Sequence, residues 1–206
     1  ADLLVLGTSH RYLTVEEREP YHLVGERLEA VGRMLMQVWG IHEFALLNTC
    51  NRVELLAVAA AGTIDNEILV KLMGFDRLGP GQMYLKRGYD AFLHSTLVTA
   101  GLLSQSPGEK HIVAQVKDAL SVATANGWAG SILTEWLSSA LHAAKHIRQI
   151  PGHAGRHAEI EDLCMGYLAG GEIPTAQRRV LVLGAGDIGK GLVAELPNDI
   201  AQCLWC

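Results

Sequence analysis

A thiol beside an arginine in a polar corner is the first place where this chain could do chemistry. Cys50 lies in Asn48-Thr49-Cys50-Asn51-Arg52, between apolar runs at residues 44–47 and 53–59. The thiolate is the reactive form of cysteine, and neighbouring positive charge favours it. A small residue at a strand end is the plainer account of the same pattern.

Gly184-Ala185-Gly186-Asp187-Ile188-Gly189 is the second focus, after an apolar run at 180–183 and before a helical pattern reaching about residue 195. Glycines so spaced allow a tight turn and close backbone approach to a pyrophosphate at a helix N-terminus. A Gly-rich turn without a ligand is the alternative. The residue that reads the ribose is expected about 20 positions on, at or past Cys206, so NAD and NADP are not distinguished. His142 and His146, like His153 and His157, are four apart on expected helices. A zinc-protease helix needs Glu after its first His, Ala143 stands there, and with no third ligand evident no metal is expected. Cys203-x-x-Cys206 lacks two further ligands at finger-like spacing and reads as small apolar strand residues. With Cys164 the cysteines number four, too few for a disulfide framework at this length.

The elements that must position these groups follow from periodicity. Residues 2–7 form an apolar run read as a buried strand. Val24, Leu28, Val31, Leu35 and Val38 recur at helical spacing up to Gly40. The runs around Cys50 read as two strands joined at a polar turn. A helix near 64–73 and a strand near 83–86 complete a split βαβ α+β unit. From Asp90 the pattern is helical, with faces through Ile112, Val116 and Leu120, then through Leu133, Trp136, Leu137 and Ala140, and a stop at Pro151-Gly152. A last helix is expected near 160–168. The chain therefore divides into an α+β catalytic domain at 1–150, a connecting helix and linker at 151–176, and the beginning of a Rossmann-like α/β domain at 177–206, ending in a second strand at 201–206.

The 206 residues are 49% hydrophobic with a net charge of −5 and a pI near 6.0. Disorder is excluded by that apolar share, and a general nucleic-acid binder would be more basic. No apolar run is long enough to span a bilayer, and no secretory signal is read at the start. A cytoplasmic protein is expected.

These segments, taken in order, resemble the glutamyl-tRNA reductase family over nearly the whole chain. Gly7-Thr8-Ser9-His10 with residues 16–19 resembles its opening strand and the acidic/Arg segment after it. Thr49-Cys50-Asn51-Arg52 with Glu54 is close to its nucleophile motif, and His94 stands where the family places a histidine important for activity. Gly101-Leu102 through Ser104, Gly108-Glu109 and Gln115-Val116-Lys117 follow its substrate-pocket segment. Ala144-Lys145-His146-Ile147-Arg148 is similar to the end of its next helix, and residues 184–189 to its nucleotide loop.

The resemblance implies an enzyme of tetrapyrrole biosynthesis. Cys50 attacks the ester of glutamyl-tRNA, and the thioester accepts hydride from NADPH to give glutamate-1-semialdehyde. It implies His94 as a second catalytic residue. Thr49, Asn51, Arg52, Ser104, Glu109, Lys110, His111 and Gln115 would bind substrate, with Arg52 holding its carboxylate in a planar fork. The six residues at 184–189 would hold the cofactor. A homodimer, or a partner that completes the nucleotide domain, is a further expectation. The sequence departs from the family at Leu97, usually Arg, at Leu103, usually Asp, at Lys110-His111, usually Pro-Gln, and in Gln149-Ile150-Pro151, where a Thr is usual. These departures motivate an alternative, a relative that binds tRNA, a tetrapyrrole or a protein without turnover.

Overall fold

The computed structural model describes residues 1–105, 111–150, 160–170 and 172–206. Glu109, Lys110, the helix stop at Pro151-Gly152, and His153 and His157 lie outside the described residues.

An apolar run opens the chain as β1 (Asp2–Ser9), buried from Leu4 to Ser9. A short α1 (Val15–Arg18) follows, started by a reciprocal cap. The Glu17 N–H donates to Thr14 Oγ1 at 3.3 Å, and the Thr14 N–H donates to Glu17 Oε2 at 2.9 Å. Four residues are too few for apolar periodicity to mark, but the Thr-x-x-Glu spacing carries the signal. α2 (Glu26–Leu35) is shorter than the apolar pattern suggests. Val24 is exposed and precedes Gly25, whose φ of 52° turns the chain before the helix. Beyond Leu35, Gln37 and Val38 bond back three residues to Met34 and Leu35, which tightens the chain out of α geometry.

β2 (Ile41–Thr49) and β3 (Arg52–Ala59) form a hairpin whose closing pair is Thr49↔Arg52. Cys50 and Asn51 are the entire turn. Thr49 Oγ1 accepts from the N–H groups of Asn51 and Arg52 at 3.1 and 3.2 Å, satisfying turn donors that the ladder cannot reach. After α3 (Asn66–Leu72), β4 (Tyr84–Arg87) joins the other side. The sheet order is β2-β3-β1-β4 with every neighbouring pair antiparallel, so β1 and β2 run parallel with β3 between them. That is the split βαβ arrangement.

α4 (Gly88–Thr99), α5 (His111–Ala125) and α6 (Ser131–Gln149) cover the sheet face that carries Leu47, Glu54 and Leu56. There these residues meet Ser95 and Val98 of α4, Val116 of α5 and Leu137 of α6. Glu43 of β2 fixes where α6 starts. Its carboxylate accepts from the N–H groups of Gly130 at 3.0 Å, Ile132 at 3.3 Å and Leu133 at 2.6 Å, a negative group on free donors at the positive end of a helix.

α7 (Ile160–Gly170) leads to β5 (Arg179–Val182), α8 (Asp187–Glu195) and β6 (Gln202–Trp205). β5 and β6 pair in parallel from Arg179↔Gln202 to Val182↔Trp205, so this segment is one βαβ unit. Leu181, Leu183, Leu204 and Trp205 are exposed, as are Cys203 and Cys206. Among the described residues no helix is long and apolar enough to cross a membrane.

Candidate active site

Cys50 is exposed at the tip of the β2–β3 hairpin. Its position is fixed from behind by Arg18, which is 1% exposed. The Arg18 guanidinium donates to the Cys50 carbonyl from Nε at 3.1 Å and from Nη2 at 2.5 Å. Its Nη1 donates to the carbonyls of Leu13 and Thr14 at 2.8 and 3.3 Å. Burial pulls the Arg18 pKa below its ordinary value, and the nearby Cys50 sulfur opposes that shift. The backbone around the thiol is therefore held by a buried cation whose partners are three carbonyl oxygens.

Behind the tip lies a buried charge cluster centred on Glu54. Its Oε1 accepts from Arg52 Nη1 at 2.9 Å, from the Tyr84 hydroxyl and meets His94 Nε2 at 2.9 Å. Its Oε2 has no partner among the described residues. Burial pushes the Glu54 pKa up, but Arg52 and then His94 and Tyr84 outweigh it and bring the carboxyl down to about 2. An ionised carboxylate only accepts, so His94 carries its hydrogen on Nε2 in the neutral ring. Burial, followed by the Glu54 charge, raises the Tyr84 pKa well above its ordinary value, so the phenol stays a donor.

Strand register explains how three separated residues meet. Gly7 of β1 pairs with Glu54 on one side and Tyr84 on the other, and paired residues project from the same sheet face. A Cβ at Gly7 would stand 2.6 Å from Glu54 Cγ and 3.2 Å from the Tyr84 hydroxyl. The glycine leaves the space in which the two side chains bond across the strand. α4 supplies His94, whose ring centroid lies 5.0 Å from that of Tyr84. The next residue, Ser95, fixes α4 against α6 by accepting from Trp136 Nε1 at 2.9 Å.

The expected site residues divide into three groups. Arg52 and His94 meet on the Glu54 carboxylate, and Thr49, Cys50 and Asn51 adjoin Arg52 in the hairpin turn. Ser104, buried, sits beside them because Arg52 Nη2 donates to the adjacent Leu103 carbonyl at 2.6 Å. The fork of Arg52 is thus turned into the protein, onto Glu54 and Leu103. His111 instead faces α7, its Nε2 lying 3.7 Å from Glu161 Oε1, and Gln115 is half-buried on α5. Residues that sequence reasoning gave no role are Arg18, Tyr84 and His10. The His10 N–H donates to the Asn51 carbonyl at 2.8 Å. Burial first, then the charge of Arg52, lowers the His10 pKa, and its Nδ1 is buried without a hydrogen-bond partner among the described residues.

The loop at 184–189 is a tight strand-to-helix turn whose geometry depends on its glycines. Gly184 has a φ of 114°, a region that favours glycine. A Cβ at Gly189 would lie 2.1 Å from the Gly184 carbonyl oxygen, so only glycine lets α8 start this close to β5. Gly186 is the N-cap of α8. Trp205 Nε1 donates to the Gly184 carbonyl at 3.0 Å, tying the loop to β6. Ala185 and Ile188 lie within the same turn, the latter partly exposed.

A family model described as the N-terminal domain of glutamyl-tRNA(Glu) reductase matches residues 6–150. The glutamyl-tRNA reductase of Rubrobacter xylanophilus is 33% identical over 199 residues, 94% of this chain and 46% of that protein. That of Aquifex aeolicus is 34% identical over 197 residues, 92% of this chain and 47% of that protein. Among solved structures, glutamyl-tRNA reductase from Methanopyrus kandleri superposes with a TM-score of 0.70 at 28% identity, over 98% of this chain and 48% of that one. The chain spans about half the length of the curated relatives it matches.

Proposed function

The chain belongs to the glutamyl-tRNA reductase family, and from that premise we propose that it carries the thiol step of an NADPH-dependent reduction of glutamyl-tRNA to glutamate-1-semialdehyde. The observation that carries this reading is the exposed Cys50, gripped through its own carbonyl by the buried Arg18.

In this reaction Cys50 Sγ attacks the carbonyl carbon of the ester that joins glutamate to the tRNA ribose. The C–O bond breaks, the ribose oxygen takes up a proton, and glutamate stays on Cys50 as a thioester. Splitting the transfer in this way replaces one hard step by two easier ones. His94 is fixed by Glu54 through Nε2–H, which leaves Nδ1 to move the proton from thiol to ribose. Arg52 anchors the hairpin to Glu54 and Leu103, and a substrate carboxylate reaches it by displacing the Leu103 carbonyl. Thr49, Asn51 and Ser104 border the same space, and we assign Glu109, Lys110 and Gln115 to the remainder of the substrate pocket, with His111 turned away from it toward Glu161.

The loop at 184–189 would hold NADPH by its pyrophosphate, and NADPH bound there would supply the hydride for reduction of the thioester to the aldehyde. A partner subunit or further strands would complete the cofactor sheet at the edges of β5 and β6 and cover the exposed Leu181, Leu183 and Leu204. The charged tRNA substrate makes the cytoplasm the working compartment.

Deacylation of glutamyl-tRNA by the protein tests the reading. Cys50→Ser should abolish glutamate release, and His94→Ala should slow it by roughly 10²–10⁴-fold, the range for a lost general acid–base group. Equal deacylation by wild type and Cys50→Ser would end the proposal.

A further inference from the structure

α6 carries two imidazoles that the thiol chemistry does not use. His142 and His146 are both exposed, and their Nε2 atoms lie 3.0 Å apart. The rings are 4.6 Å apart between centroids and inclined at 71°. Residues four apart share one helix face, so the backbone of α6 sets the pair before any ligand arrives.

The separation is informative. Two imidazole nitrogens about 2.1 Å from one ion stand about 3.0 Å apart when they subtend about 90°, and about 3.4 Å apart at a tetrahedral angle. The observed distance matches the right angle of an octahedral or tetragonal ion. Such geometry with nitrogen and oxygen donors suits Ni²⁺ or Cu²⁺ better than Zn²⁺. The geometry points to a surface chelate site for a divalent nickel- or copper-class ion. Nε2 of His142 and Nε2 of His146 fill adjacent coordination positions, and water fills the rest.

Two cations neighbour the pair on α6: Lys145, which is exposed, and Arg148, which is directed away because its Nη1 donates to the Thr99 carbonyl at the end of α4 at 2.9 Å. Among the described residues no group of three or more His, Cys, Asp or Glu side chains could hold a metal, so the site is an open two-ligand chelate and its ion exchanges freely. Bridging His142 to His146 clips the last turns of α6. Through Arg148 these turns hold the end of α4, the helix that bears His94. A hydrogen bond between two neutral rings gives the same separation, but confers no metal affinity beyond that of a single histidine.

Titration of the whole 206-residue protein with Ni²⁺, read by calorimetry and by thermal unfolding, tests the site. Wild type should bind Ni²⁺ at least ~10-fold more tightly than His142→Ala or His146→Ala, because the second ligand binds at high effective concentration. Its Tm should rise with added Ni²⁺, since an ion that binds only the folded state stabilises it, and both single variants should lose that rise. The double variant Cys203→Ser/Cys206→Ser, which removes the exposed terminal thiols, should bind as wild type does. Binding that survives in His142→Ala, binding that disappears with the two thiols, or no binding at millimolar Ni²⁺ would each overturn the site.

Discussion

At Glu54 burial and charge oppose each other. Burial raises the carboxyl pKa, and Arg52, His94 and Tyr84 bring it down to about 2 from an ordinary 4.5. A carboxyl with a depressed folded pKa stabilises the fold fully above its unfolded value and loses that contribution as pH falls toward the folded value. Stability against urea should therefore decline between about pH 4.5 and pH 2, and Glu54→Gln should flatten the decline in that window. Glu54→Ala, which leaves Arg52 buried beside an empty space, should cost about 3–5 kcal/mol at neutral pH by the same measurement. The motif Thr49-Cys50-Asn51-Arg52 with Glu54 was legible in the sequence because those residues are adjacent. Tyr84 and Gly7 were not, since their relation to Glu54 exists only through strand register. Leu103 stands where the family usually carries Asp. The structure shows its backbone carbonyl receiving Arg52, a contact that requires no acidic side chain there.

The strands and long helices were readable because their apolar spacing is regular, and the split βαβ order followed from their sequence. α1 was missed because a four-residue helix depends on its cap rather than on a buried stripe. The ends of α2 were overextended because Val24 and Val38 continue the spacing outside the helix. Glu43 illustrates a link between elements that periodicity does not report. A carboxylate on β2 caps α6 from 87 residues away in sequence. Glu43→Ala should destabilise the protein by about 1–2 kcal/mol in chemical denaturation. Most of the helical signal should survive in far-ultraviolet circular dichroism.

Over the whole molecule, the thiol site and the glycine loop belong to different segments, and their chemistries should be separable. Gly189→Ala places a Cβ against the Gly184 carbonyl oxygen, at 2.1 Å before relaxation. It should weaken NADPH binding, measured by nucleotide fluorescence, and leave deacylation by Cys50 unchanged. The βαβ unit was legible because the glycine motif sat between a strand and a helix. The choice of nicotinamide cofactor was not, because the ribose-reading position lies about 20 residues on, at the edge of these 206 residues.

Mass spectrometry of protein quenched in acid after mixing with glutamyl-tRNA tests the central claim most directly. The predicted result is one glutamyl group on the peptide that contains Cys50, removed by hydroxylamine and missing in Cys50→Ser. An unmodified Cys50 while the tRNA is being deacylated, or a glutamyl group on another residue, would contradict the account.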